Sequence, residues 1–147
     1  MVWVLTGYRE NRKPKMKKAI TLILAGIICL LCFAGCCPYK SSYKAVAFVH
    51  SNTDDSAKMN FSEFEGTIVF ELKSQNGSQA KLKYSAKLQK GNAQIYYDHD
   101  GTKKKLFSAR EGEQERGSVK GLTNEKVYII VETNGKCEDG EMSFEVD

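Results

Sequence analysis

The residues of this chain that could do chemistry are five cysteines, two histidines and one short acidic turn. Cys29 and Cys32 stand in a Cys-x-x-Cys spacing, as redox pairs and half zinc sites do. Both fall inside an uncharged apolar run, Ala19–Gly35, so the spacing is accidental and not a site. Cys37 and Cys137 could form a disulfide in an oxidising compartment or remain thiols, because spacing alone does not bring two Cα atoms within bridging reach. Without neighbouring histidines they make no zinc site. His50 and His99, with the serines and aspartates, supply the composition of a hydrolytic triad. Nothing places them together, and no Gly-x-Ser-x-Gly elbow exists. Asp98-x-Asp100-Gly101 matches the opening of a calcium loop, but Thr102-Lys103-Lys104-Lys105 follows where further oxygen ligands are needed. It reads as a hairpin turn with His99 facing solvent. No catalytic, metal-binding or cofactor-binding residue is assigned.

Two surface patterns remain. Lys81, Lys83 and Lys87 with Lys103, Lys104 and Lys105 would make a basic face suited to anionic headgroups or wall polymers, or simply a solvated sheet face. Tyr96, Tyr97 and Tyr128 could line a glycan surface. Alternation turns Tyr97 inward and leaves Tyr96 exposed, and one exposed ring is not a platform.

The elements that must position these residues begin with an uneven charge distribution. The chain has 147 residues and net charge +4. Arg9, Arg12, Lys13, Lys15, Lys17 and Lys18 oppose only Glu10 in the first 35 residues, which leaves −1 for Cys36–Asp147. The basicity is therefore an address on a short N-terminal segment. A nucleic-acid-binding domain would carry it on the folded part, so no nucleic-acid partner is expected. The apolar run of 17 residues would span roughly 25 Å as a helix, short of a comfortable membrane crossing. A basic start, a short apolar stretch and small residues at its end read as a secretory signal over residues 1–35. Met16-Lys17-Lys18 is itself a compact signal start, so residues 1–15 read as a start extension or as a long basic lead.

Phe33-Ala34-Gly35-Cys36 resembles the lipobox of bacterial lipoproteins, with Phe33 in place of the favoured leucine. The resemblance implies a diacylglycerol thioether on Cys36, cleavage between Gly35 and Cys36, and a membrane anchor of paired fatty acyl chains such as palmitate. An uncleaved signal anchor and a soluble secreted product are the alternatives. On this reading residues 36–43 are a lipidated tether, and residues 44–147 are one domain at the extracytoplasmic face of the cell membrane.

The mature chain of about 112 residues alternates with period two. Lys44–His50 reads as a first strand and Ser51–Asn60 as a loop. Phe64, Gly66, Ile68, Phe70 and Leu72 share a face, as do Ala80, Leu82, Tyr84, Ala86 and Leu88. Asn76-Gly77, Lys90-Gly91-Asn92 and Asn134-Gly135 read as turns. Ala93, Ile95 and Tyr97 face inward in another strand, and Lys105–Ala109 follows the acidic turn. Glu111–Gly117 reads as a loop tip, Gly117–Gly121 as a weak strand and Lys126–Thr133 as a central strand. Met142, Phe144 and Val146 close the pattern. The expected fold is all-β, a single antiparallel β-sandwich of about seven or eight strands after an N-terminal signal helix.

Phe64-Glu-Gly-Thr67, Gly91 before Ile95-Tyr-Tyr-Asp98, Asp100-Gly101 before Leu106-Phe107, and Val127–Val131 ahead of Gly140-Glu-Met-Ser-Phe144 are similar to small β-sandwich lipoproteins of uncharacterised function, common in Firmicutes. The resemblance covers Phe64–Asp147 and implies fold and location but no activity. The expected role is a non-catalytic binding or interaction module at the cell envelope, with membrane lipid held through Cys36 and an envelope protein or glycan as partner. The alternative is an envelope-polymer enzyme or an accessory subunit of one, which would need a convergent polar cluster in a cleft.

Overall fold

Alternation of apolar and polar side chains makes strands, and a strand buries its apolar face only if a second layer covers it. The computed structural model of the chain describes residues 37–76 and 79–147. The expected signal helix and Cys36 lie outside the described residues. Tyr39–Asp147 form one compact unit, while Cys37 and Pro38 fall to a separate N-terminal one.

Among the described residues nine strands form, all antiparallel: β1 Ser42–Val46, β2 Val49–Asn52, β3 Ser56–Lys73, β4 Ala80–Lys90, β5 Asn92–Asp98, β6 Lys104–Arg110, β7 Gln114–Leu122, β8 Lys126–Thr133 and β9 Cys137–Val146. The count exceeds the expected seven or eight because several neighbours in sequence continue one another without reversing. β3 pairs with β9 through Ser56–Phe64 and with β8 through Thr67–Lys73. On their far sides β9 takes β4 and β8 takes β5. β7 then pairs with β4, and β6 with β5. β1 and β2 lie along β3 in one unbroken register, Val46 opposite Glu63 and Val49 opposite Asn60. The sheet is thus five long strands in the order β1/β2, β3, β8/β9, β4/β5, β6/β7.

Four of the long strands bend at one level, each at a glycine of positive φ: Gly66 (124°), Gly91 (94°), Gly112 (72°) and Gly135 (83°). Hydrogen bonds link these bends across the sheet. Gly66 N–H donates to Thr133 Oγ1 at 2.8 Å, Asn134 N–H to Asn92 O at 3.1 Å, and Gly112 N–H to Leu88 O at 2.9 Å. Folding along this line brings the two apolar halves face to face. The first layer holds β5, β6, β8 and the second half of β3. The second layer holds β2, β4, β7, β9 and the first half of β3. Rings meet between them: Tyr84 of β4 stacks on Phe107 of β6 at 4.5 Å, and Phe70 of β3 lies 6.4 Å from Phe144 of β9. Phe61, Phe64, Leu82, Ile95 and Ile129 fill the space between the layers. Each such side chain contributes about 1.5–3 kcal/mol on burial.

The expected faces of β3 and β4 are those observed, and β8 lies between β3 and β5 as a central strand should. Three local expectations are corrected. Ser51–Asn60 is not a loop: only residues 53–55 reverse the chain, and Ala57 and Met59 are buried. Glu111–Gly117 is not a loop tip, because β7 starts at Gln114. Gly91 and Gly135 bend strands without reversing them, since a positive φ serves a bend as well as a turn.

The true reversals gather at the end opposite the fold line. Ser74 N–H donates to Glu125 O at 2.7 Å, Val146 N–H to Asp55 O at 2.8 Å, and Lys73 N–H to Asp54 O.

A side chain on Gly91 would put its Cβ 2.9 Å from both Cys137 Sγ and Lys136 O. One on Gly101, also at positive φ, meets nothing. Gly91→Ala is expected to cost about 2–4 kcal/mol, strain plus overlap. Gly101→Ala should cost about 1 kcal/mol, strain alone. Urea unfolding midpoints compare them, and equal shifts would discard close packing at the fold line.

Candidate functional site

The acidic turn between β5 and β6 is built as a lock. Asp98, 2% exposed, accepts from the N–H groups of Asp100 (3.1 Å) and Gly101 (2.7 Å) through Oδ1. Its Oδ2 accepts from Tyr39 Oη at 2.7 Å. Asp100 Oδ1 accepts from Thr102 N–H at 3.1 Å, and Oδ2 from the Lys104 ammonium at 2.6 Å. All four carboxylate oxygens are therefore engaged internally, which is the chemistry of a hairpin turn. Lys104 holds the Asp100 carboxyl below the ordinary aspartate range, against a smaller upward push from burial.

His99 does not face solvent as expected; it is 9% exposed. Its Nδ1 accepts from Thr123 N–H at 3.2 Å and lies 3.1 Å from Thr123 Oγ1. Its Nε2 lies 3.5 Å from Lys104 Nζ and 3.8 Å from Asp100 Oδ2. Asn124 Nδ2 donates to His99 O, and Tyr97 stacks parallel to the imidazole at 5.8 Å. His99 thus joins the β5–β6 turn to the segment before β8. His50 is exposed and stacks on Phe48 at 5.0 Å. Neither histidine is hydrogen-bonded to a buried carboxylate, and the two do not form a triad.

The six lysines do not share a face: Lys81, Lys83 and Lys87 lie on β4, and Lys104 and Lys105 on β6 with Lys103 just before it. Lys83 pairs with Asp147 at 3.3 Å and with Glu145 at 3.5 Å, and Asp147 first and Glu145 next raise its pKa. Lys103 pairs with Glu132, and its ammonium stands 4.1 Å above the Tyr96 ring. One face of that ring is therefore covered.

What remains open is the outer face of the second layer. Register aligns Lys58 of β3, Ser143 of β9 and Ser85 of β4 in one row. The Ser85 and Ser143 hydroxyls share a hydrogen bond of 2.9 Å. Two shallow grooves, about 360 and 270 Å³, both run against Lys58 and Ser143. Asn60 and Glu141 extend the first, and Glu145 and Lys83 the second. Hydroxyls, ammoniums and carboxylates at strand spacing can hydrogen-bond an extended polar chain. Alternation marks Ser85 and Ser143 as outward-facing, but their pairing depends on β4 lying beside β9, which no local signal encodes.

Cys137 is buried, donates to Asn92 O at 3.4 Å and has its thiol pKa pushed up by burial, whereas Cys37 is exposed; both are free thiols.

No family model matches the chain, and no curated protein matches it. Several solved structures are similar. TmCBM61 in complex with β-1,4-galactotriose is 14% identical, over 75% of this chain and 88% of that one, with a TM-score of 0.39. A variant of CBM29-2, from family 29 of the carbohydrate-binding modules, is 13% identical over 72% and 79%, at 0.36. CENP-C of Drosophila melanogaster bound to CAL1 is 12% identical over 88% and 98%, at 0.31. The sandwich assignment itself rests on the sheet register and the ring contacts between layers.

Two outcomes are expected. Because the Asp100 pKa is lowered in the folded state, its stabilisation is present above the unfolded value and lost as pH falls through the folded one. Lys104→Met should therefore flatten the fall of stability below about pH 4, read from urea midpoints against pH. A thiol-alkylating reagent at neutral pH should modify Cys37 in the folded protein, and Cys137 only after unfolding, as mass spectrometry would record.

Proposed function

We propose that this protein is a lipid-anchored, non-catalytic binding module on the extracytoplasmic face of the cell membrane. Its outer second-layer face is the surface that meets an envelope protein or glycan. The anchor reading is supported by Phe33-Ala34-Gly35-Cys36 at the end of the apolar run. The row Lys58–Ser143–Ser85, with a groove on either side of its β3–β9 part, is the observation that carries the binding reading. Such a surface offers hydrogen-bond donors and acceptors along an extended line, which suits a polymer. A non-catalytic role is supported by the engagement of the groups best suited to acid–base work. Asp98 and His99 hold the turn, and His50 lies against an aromatic ring.

Two measurements test the proposal. Metabolic labelling with a clickable fatty acid should mark the wild type and not Cys36→Ala, which should also leave the membrane fraction. Equal label on both would remove the anchor. Wild-type protein should cosediment with isolated envelope polymer, and Lys58→Glu combined with Ser85→Glu should weaken this about tenfold, near 1.4 kcal/mol. The unfolding midpoint serves as the folding control. Undiminished binding by a folded double variant would remove this face from the reading.

A further inference from the structure

The short stretch ahead of β1 is clasped to the first layer at three strands. Tyr39 Oη donates to buried Asp98 at the end of β5, and the Tyr39 ring meets Tyr128 of β8 edge-on at 5.8 Å. Ser41 Oγ accepts from Val69 N–H of β3 at 2.9 Å. Register places Asp98 opposite Tyr128, and Tyr128 opposite Glu71, so these side chains share the layer's outer face. Only three peptide steps separate Cys36 from Tyr39, a reach of at most about 10 Å.

We infer that the Tyr39 clasp seats the domain on the bilayer through its first layer, turning the second layer's outer face away from the membrane. The inference rests on the lipid anchor proposed for Cys36. Given acyl chains at that cysteine, the bilayer surface lies within that reach of Tyr39. The second layer's outer face is separated from it by the thickness of two packed sheets, whose spacing alone is about 10 Å. The chemistry of the near face suits headgroups. Tyr96 and Tyr128 lie half-buried on it, aromatic residues of the kind found at membrane interfaces. Lys103 and Lys126 are paired with Glu132 and Glu71. Each of these two ammoniums is neutralised by its carboxylate, so the contact is not built on anionic lipid. A freely rotating domain would present all its faces equally to the bilayer. The clasp removes that freedom and leaves the row at Lys58, Ser143 and Ser85 presented outward.

The test uses the full chain, acylated in a bacterial host and reconstituted in phosphatidylcholine vesicles carrying brominated lipid. In a Cys37→Ser background, single cysteines replace Thr102, in the β5–β6 turn, or Lys58, on the second layer, and carry a fluorophore. Both positions are exposed. Quenching should be several-fold stronger at position 102 than at 58. Adding Tyr39→Ala should shrink that difference. Equal quenching, or stronger quenching at 58, on protein whose Cys36 acylation is verified by mass overturns the orientation alone. An unchanged difference with Tyr39→Ala overturns the role of the clasp. Absence of acyl mass on Cys36 overturns the anchor reading, and the orientation falls with it.

Discussion

A sheet whose strands run up to 18 residues cannot stay flat with one apolar face bare to water, and this one is creased. The crease demands backbone of positive φ on neighbouring strands at one height, and glycine supplies it without a Cβ penalty. Everything else follows from that line. It sets which half of β3 meets β8 and which meets β9. It turns Phe107 toward Tyr84 and Phe144 toward Phe70. It also sends the reversals between the described strands to the opposite end, where Asp54, Glu125 and Asp55 accept hydrogen bonds from backbone of other elements.

Missing side chains have a second use along the same sheet. Gly140 lies directly beneath the Phe61 ring and Gly117 beneath Tyr84, and a Cβ at either would collide with the aromatic ring. An aromatic laid over a cross-strand glycine shields backbone that the glycine leaves bare. Cys137 fills the gap beside Gly91 in a similar way, which accounts for its burial.

Much of this was legible in the residues. Period-two patterns at Phe64–Leu72 and Ala80–Leu88, and the apolar run at Lys126–Thr133, mark strands, core faces and a central position correctly, because burial on one face writes directly into alternation. The crease was not legible. Asn134-Gly135 and Lys90-Gly91-Asn92 have the chemistry of reversals, and only the neighbouring strands decide that the chain carries on. The start of β3 was hidden because Asp54-Asp55 and Asn60 outweigh Ala57 and Met59 in composition. The burial of His99 depends on Thr123 and Asn124, which arrive from the far end of another strand. The polar row on the second layer is half legible: alternation faces each side chain outward, while neighbourhood on the sheet comes from topology alone.

The order of the strands has a consequence for how the protein comes to exist. The strand at the middle of the sheet, β8/β9, is the last of the described strands in chain order, and it inserts between β3 and β4/β5. Until it arrives, β3 and β4 each lack a neighbour, and the apolar faces on either side have nothing to close against. A chain emerging N-terminus first therefore cannot complete its core before Cys137–Val146 appear. Until β9 is made, such a chain stays open and extended. β9 is the latch that ends that state.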